Sequence, residues 1–149
     1  MIDITLKPEV FREATAKGRI KLRAETIRLI REGKIEKGDP LHTAKIAGIL
    51  AAKNTPVLIP LCHPIPLTNV SINIKIIDES TVEVESTVKT KAQTGVEMEA
   101  LMATTIALLT IWDMVKAYEK DSEGQYPYTL IQKIQVTKKV KNEGEQNNT

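Results

Sequence analysis

Gly95-Val-Glu97-Met-Glu99-Ala-Leu-Met-Ala-Thr-Thr-Ile-Ala-Leu-Leu-Thr-Ile-Trp112-Asp113-Met-Val-Lys116-Ala-Tyr-Glu-Lys120 is the stretch on which the fold turns. It holds no proline, no glycine after Gly95, and many Ala, Leu and Met residues, which predicts a helix. Thr94 followed by Glu97 fits a capping box and sets the expected start at Thr94. From Ala100 to Val115 the only ionisable side chain is Asp113, so the helix is apolar around most of its circumference. That is the pattern of a core helix. Its length and its charged ends argue against a bilayer span.

A carboxylate on such a helix needs a partner or a polar cavity. Lys116 lies one turn further on, on the same face. Stepping back by three or four from Asp113 passes Leu109, Ile106 and Met102 to Glu99, so Glu99, Asp113 and Lys116 share one expected stripe. Glu97 projects from roughly the opposite side. The bland account is a capping Glu97, an exposed Glu99 and an ordinary Asp113–Lys116 ion pair; the functional account makes the stripe a site.

Upstream, Val70-Ser-Ile-Asn-Ile-Lys-Ile76 alternates apolar and polar residues, and Val82, Val84, Ser86 and Val88 repeat the pattern after the Asp78-Glu-Ser80 turn. This is a hairpin with one buried face. Before it, Val57 to Leu67 is almost wholly apolar and holds Pro60, Pro64 and Pro66, so it is expected to run extended. His63 is its one strongly polar side chain: either a satisfied core group or a ligand positioned by the rigid backbone. Cys62 reads by default as a small buried thiol. Asp39 followed by Pro40 starts a helix over Pro40–Lys53, rich in small residues. A helix over Arg23–Glu32 ends at Gly33, and Val10–Leu22 is expected to be one strand with a bulge or break at Gly18. Tyr128–Val136 is the last expected strand. Residues 1–136 form one expected domain, and the polar segment 137–149 is an expected disordered tail. Antiparallel strands with helices on one face give an α+β, ferredoxin-like arrangement.

With 149 residues the chain can bury a real core, and a formal charge of +2 gives no field that would draw nucleic acid. One cysteine rules out an internal disulfide, and the N-terminus lacks a signal peptide's basic and apolar regions. A soluble cytoplasmic protein is expected. His42, His63 and Cys62 show no zinc spacing. Sheet binding of single-stranded RNA would need aromatics that the hairpin lacks.

Leu61-Cys-His63-Pro64, Gly95-Val-Glu97-Met-Glu99-Ala and Asp113-Met-Val-Lys116-Ala resemble the signature blocks of the cyclic pyranopterin monophosphate synthase family of molybdenum cofactor biosynthesis. Lys37-Gly38-Asp39 and Arg28-Leu-Ile are similar too, and the likeness runs from Met1 to about Lys133. It implies conversion of a 3′,8-cyclised dihydro-GTP to a tricyclic pyranopterin bearing a cyclic phosphate, with release of diphosphate. It implies a hexamer, a trimer of dimers, with the site near a subunit interface. It implies that Asp113, Lys116 and Lys37 are catalytic, and that Leu61, Cys62, His63, Glu97, Met98, Glu99, Arg12 and Lys133 hold substrate. No resident cofactor or metal is implied; a magnesium ion carried in by the phosphates is compatible. The family's Gly-Gly-Lys-Ser-Gly run after Lys133 is replaced here by Ile134-Gln-Val-Thr-Lys138. With no Gly-rich phosphate loop, Arg12, Lys37, Lys116 and Lys133 are the expected cations for a triphosphate. The helices Pro40–Lys53 and Ala100–Val115 offer more apolar surface than one sheet face covers, which independently predicts a homo-oligomer.

Overall fold

Alternation in the hairpin produces strands β2 (Asn69–Asp78) and β3 (Thr81–Ala92), which pair antiparallel in the computed structural model, whose described residues are 1–142. β1 (Val10–Lys21) pairs with β3 on one side and with β4 (Leu130–Asn142) on the other, giving the antiparallel order β2-β3-β1-β4. Between β1 and β2 come α1 (Ala24–Arg31), α2 (Pro40–Lys53) and the single turn α3 (Thr55–Leu58); α4 (Glu97–Glu119) joins β3 to β4. The strand order and the βαββαβ sequence of layers are ferredoxin-like, as expected.

The inner sheet face carries Ala14, Ala16, Ile20, Val82, Val84 and Val88, all at 1% exposure or less. Against it lie Ala103, Ala107, Leu108, Ile111 and Val115 of α4, none exposed. Each Val, Leu or Ile so buried contributes about 1.5–3 kcal/mol. Small residues set the layer spacing. At Gly48 of α2 a Cβ would lie 2.4 Å from the Ile72 Cδ1 and 3.0 Å from the Ala103 carbonyl oxygen, so only glycine lets α2 approach α4 this closely. α4 is in fact long and apolar enough to cross a membrane; its packing on the sheet, and not its length, makes it a core helix.

The outer sheet face is charged and in register. Lys17 stands opposite Glu85 and Arg19 opposite Glu83, each pair at 3.1 Å. Phe11 is the one aromatic on the described strands, so no stacking platform for bases is present there.

Three expectations are corrected. Val57 and Leu58, expected to open an extended segment, close the helical turn α3, because Pro56 in its first turn lacks only an N–H that would have no partner anyway. The chain turns again at Pro60 and Leu61, where the Cys62 N–H donates to the Ile59 carbonyl at 3.1 Å. α4 is capped at Val96 without a side-chain bond, not at Thr94, because the Glu97 carboxylate turns to Lys139. Of the bulge or break expected in β1 at Gly18, the bulge is present, as a register shift against β4, while the pairing with β3 is unbroken. Finally, Thr137–Asn142 extends β4, where Thr15 pairs with Lys138 and Ala14 with Lys139. The rest of the expected tail lies outside the described residues.

One buried carboxylate ties three elements together. The N-terminus of α1 has no side-chain cap of its own. Both oxygens of Glu119, which is fully buried at the end of α4, accept the Arg23 N–H at 3.1 Å. Glu119 also accepts from the hydroxyls of Thr26 and, at 2.8 Å, Thr129. It caps α1 from another helix. Glu119→Ala leaves an N–H and two hydroxyls buried without partners, so a stability loss of about 3 kcal/mol is expected. Urea unfolding midpoints of the variant and parent check it.

Candidate active site

Asp113 sits on the solvent side of α4 with 58% of its side chain exposed. Two ammonium groups converge on it. Lys116, one turn on, places its Nζ 3.2 Å from Oδ1. Lys37, from the loop between α1 and α2, places its Nζ 3.2 Å from Oδ2 and donates to the Asp113 carbonyl oxygen at 3.1 Å. Hydrogen bonds from Lys116 and then Lys37, with the Lys37 charge, hold the Asp113 carboxyl below the usual carboxylate range. Burial opposes this only weakly, because the side chain faces outward.

A second cluster surrounds the first turn of α4. Glu99 is only 2% exposed; the Cys62 thiol donates to Oε1 at a long 3.9 Å, and Oε2 has no partner. Burial, and secondarily the charge of Glu97, push the Glu99 carboxyl up. Burial likewise raises the Cys62 thiol, and the Glu99 charge adds to the effect, so Cys62 is not an activated nucleophile. Glu97 behaves oppositely. Burial pushes it up, but the Lys139 Nζ at 2.5 Å, its own N–H and the Arg12 guanidinium outweigh burial and lower it. Arg12 is 5% exposed, donates from Nη2 to the Gln93 carbonyl at 3.3 Å and keeps Nε unpartnered. His63 sits on the wall of a cavity of about 310 Å³, its Nε2 2.7 Å from the Ile2 carbonyl oxygen. Leu61 and Met98 are exposed.

The single expected stripe is therefore divided. Asp113 is open to solvent, whereas Glu99 is covered by the segment that carries Cys62. The two residues are 14 positions apart on α4, about 21 Å along the helix axis. Lys133 joins neither cluster by an ion pair among the described residues. It occupies an exposed bulge of β4 with φ 58°, a left-handed conformation unfavourable for lysine. Lys139 is the site residue that sequence reading missed. Its only signal was the β-branched Val136, Thr137 and Val140 around it, set in a lysine-rich segment. A roomier cavity, about 630 Å³, lies between Lys21–Glu25 and Pro127–Leu130 and touches neither cluster. No three His, Cys, Asp or Glu side chains among the described residues are grouped to hold a metal.

A family model described as the MoaC family matches residues 1–142. A probable cyclic pyranopterin monophosphate synthase of Pyrococcus abyssi is 62% identical over 141 residues, covering 95% of this chain and 88% of the relative. Proteins of the same description from Sulfurisphaera tokodaii and Sulfolobus acidocaldarius are 60% and 59% identical. The matches cover 95% of this chain and 93% of the first relative, and 97% of this chain and 100% of the second.

Proposed function

The chain belongs to the MoaC family, and we propose that its two clusters, brought together from neighbouring subunits, complete one site for the family's reaction. The chain acts as a lyase of molybdenum cofactor biosynthesis that forms cyclic pyranopterin monophosphate. The substrate is the 3′,8-cyclised dihydro-GTP, and diphosphate leaves. The carrying observation is the pair of carboxyl groups with opposed environments: Asp113 between two ammonium groups, and Glu99 buried beside Cys62. Environments that push two carboxyl groups apart divide acid from base. Asp113 stays ionised and accepts a proton in the rearrangement. Glu99 keeps its proton to higher pH and donates to the ring system.

Lys37, Lys116, Arg12 and Lys133 bind the triphosphate through charge-assisted hydrogen bonds. Lys139 screens Glu97, so that two carboxylates can stand next to a polyanion. Leu61, Cys62, His63 and Met98 line the ring-binding part. A divalent ion, where needed, arrives with the phosphates.

A separation of about 21 Å on one helix is too long for side chains of one subunit to meet on one reacting centre. Ile46 and Leu50 on α2 and Leu109 on α4 are about half exposed, at 49%, 52% and 52%. Apolar surface of that kind marks an interface. We assign it to a homohexamer, a trimer of dimers, in the cytoplasm. The test supplies purified protein with the cyclised nucleotide and follows pyranopterin by mass and released diphosphate by coupled assay. Absence of both products overturns the functional reading. Light scattering should give a multiple of the 16.6 kDa chain mass at low micromolar concentration; a stable monomer overturns the assembly.

A further inference from the structure

Lys37 lies on a loop flanked by Gly33 and Gly38, both in the left-handed region at φ 67° and 117°. Such a loop hinges readily, and a lysine carries many rotamers, so the Lys37–Asp113 geometry needs an external constraint. Three consecutive residues supply it. Ile35 is buried in the core at 6% exposure. The Glu36 N–H donates to the phenolic oxygen of Tyr118 at 2.8 Å. Lys37 then reaches the Asp113 carboxylate and carbonyl. Tyr118 is itself fixed: its ring packs against the core, and its carbonyl accepts from the Arg23 guanidinium at 3.3 Å. It stands on α4, the same helix as Asp113 and Lys116, five residues beyond Asp113.

We infer that Tyr118 is a positioning residue for Lys37: by accepting the Glu36 N–H, its hydroxyl sets the lysine ammonium against Asp113. The inference rests on the proposed role of Lys37 and Asp113 in the reaction. The hydroxyl touches backbone and no reacting atom, so its effect passes through Lys37 alone.

Tyr118→Phe deletes one oxygen and keeps the packed ring. Turnover of the cyclised nucleotide is measured for the parent, Tyr118→Phe, Lys37→Ala and the double variant, with melting midpoints on the same samples. The expected result is a loss of about threefold to tenfold in kcat/KM from Tyr118→Phe in the parent, the size of one hydrogen bond's contribution. In the Lys37→Ala background the same change should have no further effect, because there is no ammonium left to place. A merely structural hydroxyl would subtract the same factor from both backgrounds. Equal losses in the two backgrounds, or parental activity in Tyr118→Phe, overturn the inference. Parental activity in Lys37→Ala instead overturns the role of Lys37 itself, and the inference falls with it.

Discussion

Asp113→Asn is expected to lower turnover by about a hundredfold or more, as loss of a general acid–base group does. The substitution keeps volume and removes charge. Its structural cost should be near zero, because the carboxylate is exposed and its two lysine partners are exposed in turn. A buried pair would behave otherwise: the orphaned Lys116 would weaken the fold. Substrate affinity should hold within a few-fold, since Lys37 and Lys116 lose a carboxylate partner and remain free to bind phosphate. Single-turnover rate, nucleotide affinity and melting midpoint on one preparation decide it. Near-parental turnover would remove Asp113 from the mechanism.

The pH dependence follows from the same geometry. The Asp113 carboxyl is held low, first by the Lys116 hydrogen bond and then by Lys37. A lowered folded-state pKa means that the charged form, and any stability from the pairs, is complete above the unfolded pKa of about 3.9 and is lost as pH falls through the folded value. Activity that needs ionised Asp113 should therefore persist at neutral pH and fail only below the ordinary carboxylate range. Lys37→Ala should move that acid limb upward. A limb that stays in place would dissociate Lys37 from the Asp113 charge.

The second large effect is a rescue. Asp113→Asn and Glu99→Gln are each expected to be nearly inactive as homo-oligomers. If a site takes Asp113 from one subunit and Glu99 from its neighbour, mixed assemblies contain some sites built from two unmutated halves. With random reassembly from equal parts, about a quarter of the sites in two-fold dimers are intact. Co-unfolding and co-refolding the two variants should then restore about a quarter of parental activity. Sites contained within one chain would show no gain, since every chain carries a defect. Glu99→Gln suits the test because it keeps the volume of a buried group whose Oε2 has no partner to lose.

The sequence by itself determined α1, α2, α4 and the hairpin that frame the site. α4 was legible because sixteen residues from Ala100 to Val115 carry one charge and no helix breaker. α2 was legible because Asp39 accepts from Leu41 and His42 N–H groups, the capping chemistry that Asp-Pro announces. β2 and β3 were legible because alternation at period two has one structural meaning. The Asp113–Lys116 pair also followed from spacing alone, being local to one helical turn. Only the tertiary structure decided what comes from outside an element. Periodicity says which residues share a face and not what packs over it, so Glu99 and Asp113, on one stripe, end up buried and exposed respectively. Lys37 meets Asp113 across 76 positions because Ile35 and Tyr118 fix its loop, and no local pattern encodes that meeting. Glu119 caps a helix 96 positions away at Arg23, where local reading sees a charged helix end. Lys139 was hidden because a lysine-rich segment resembles a solvated tail until β1 offers it a free edge. Contacts between distant segments depend on how whole layers pack, and that is settled by burial of the α4 face and the fit of Gly48, not by the residues that happen to meet there.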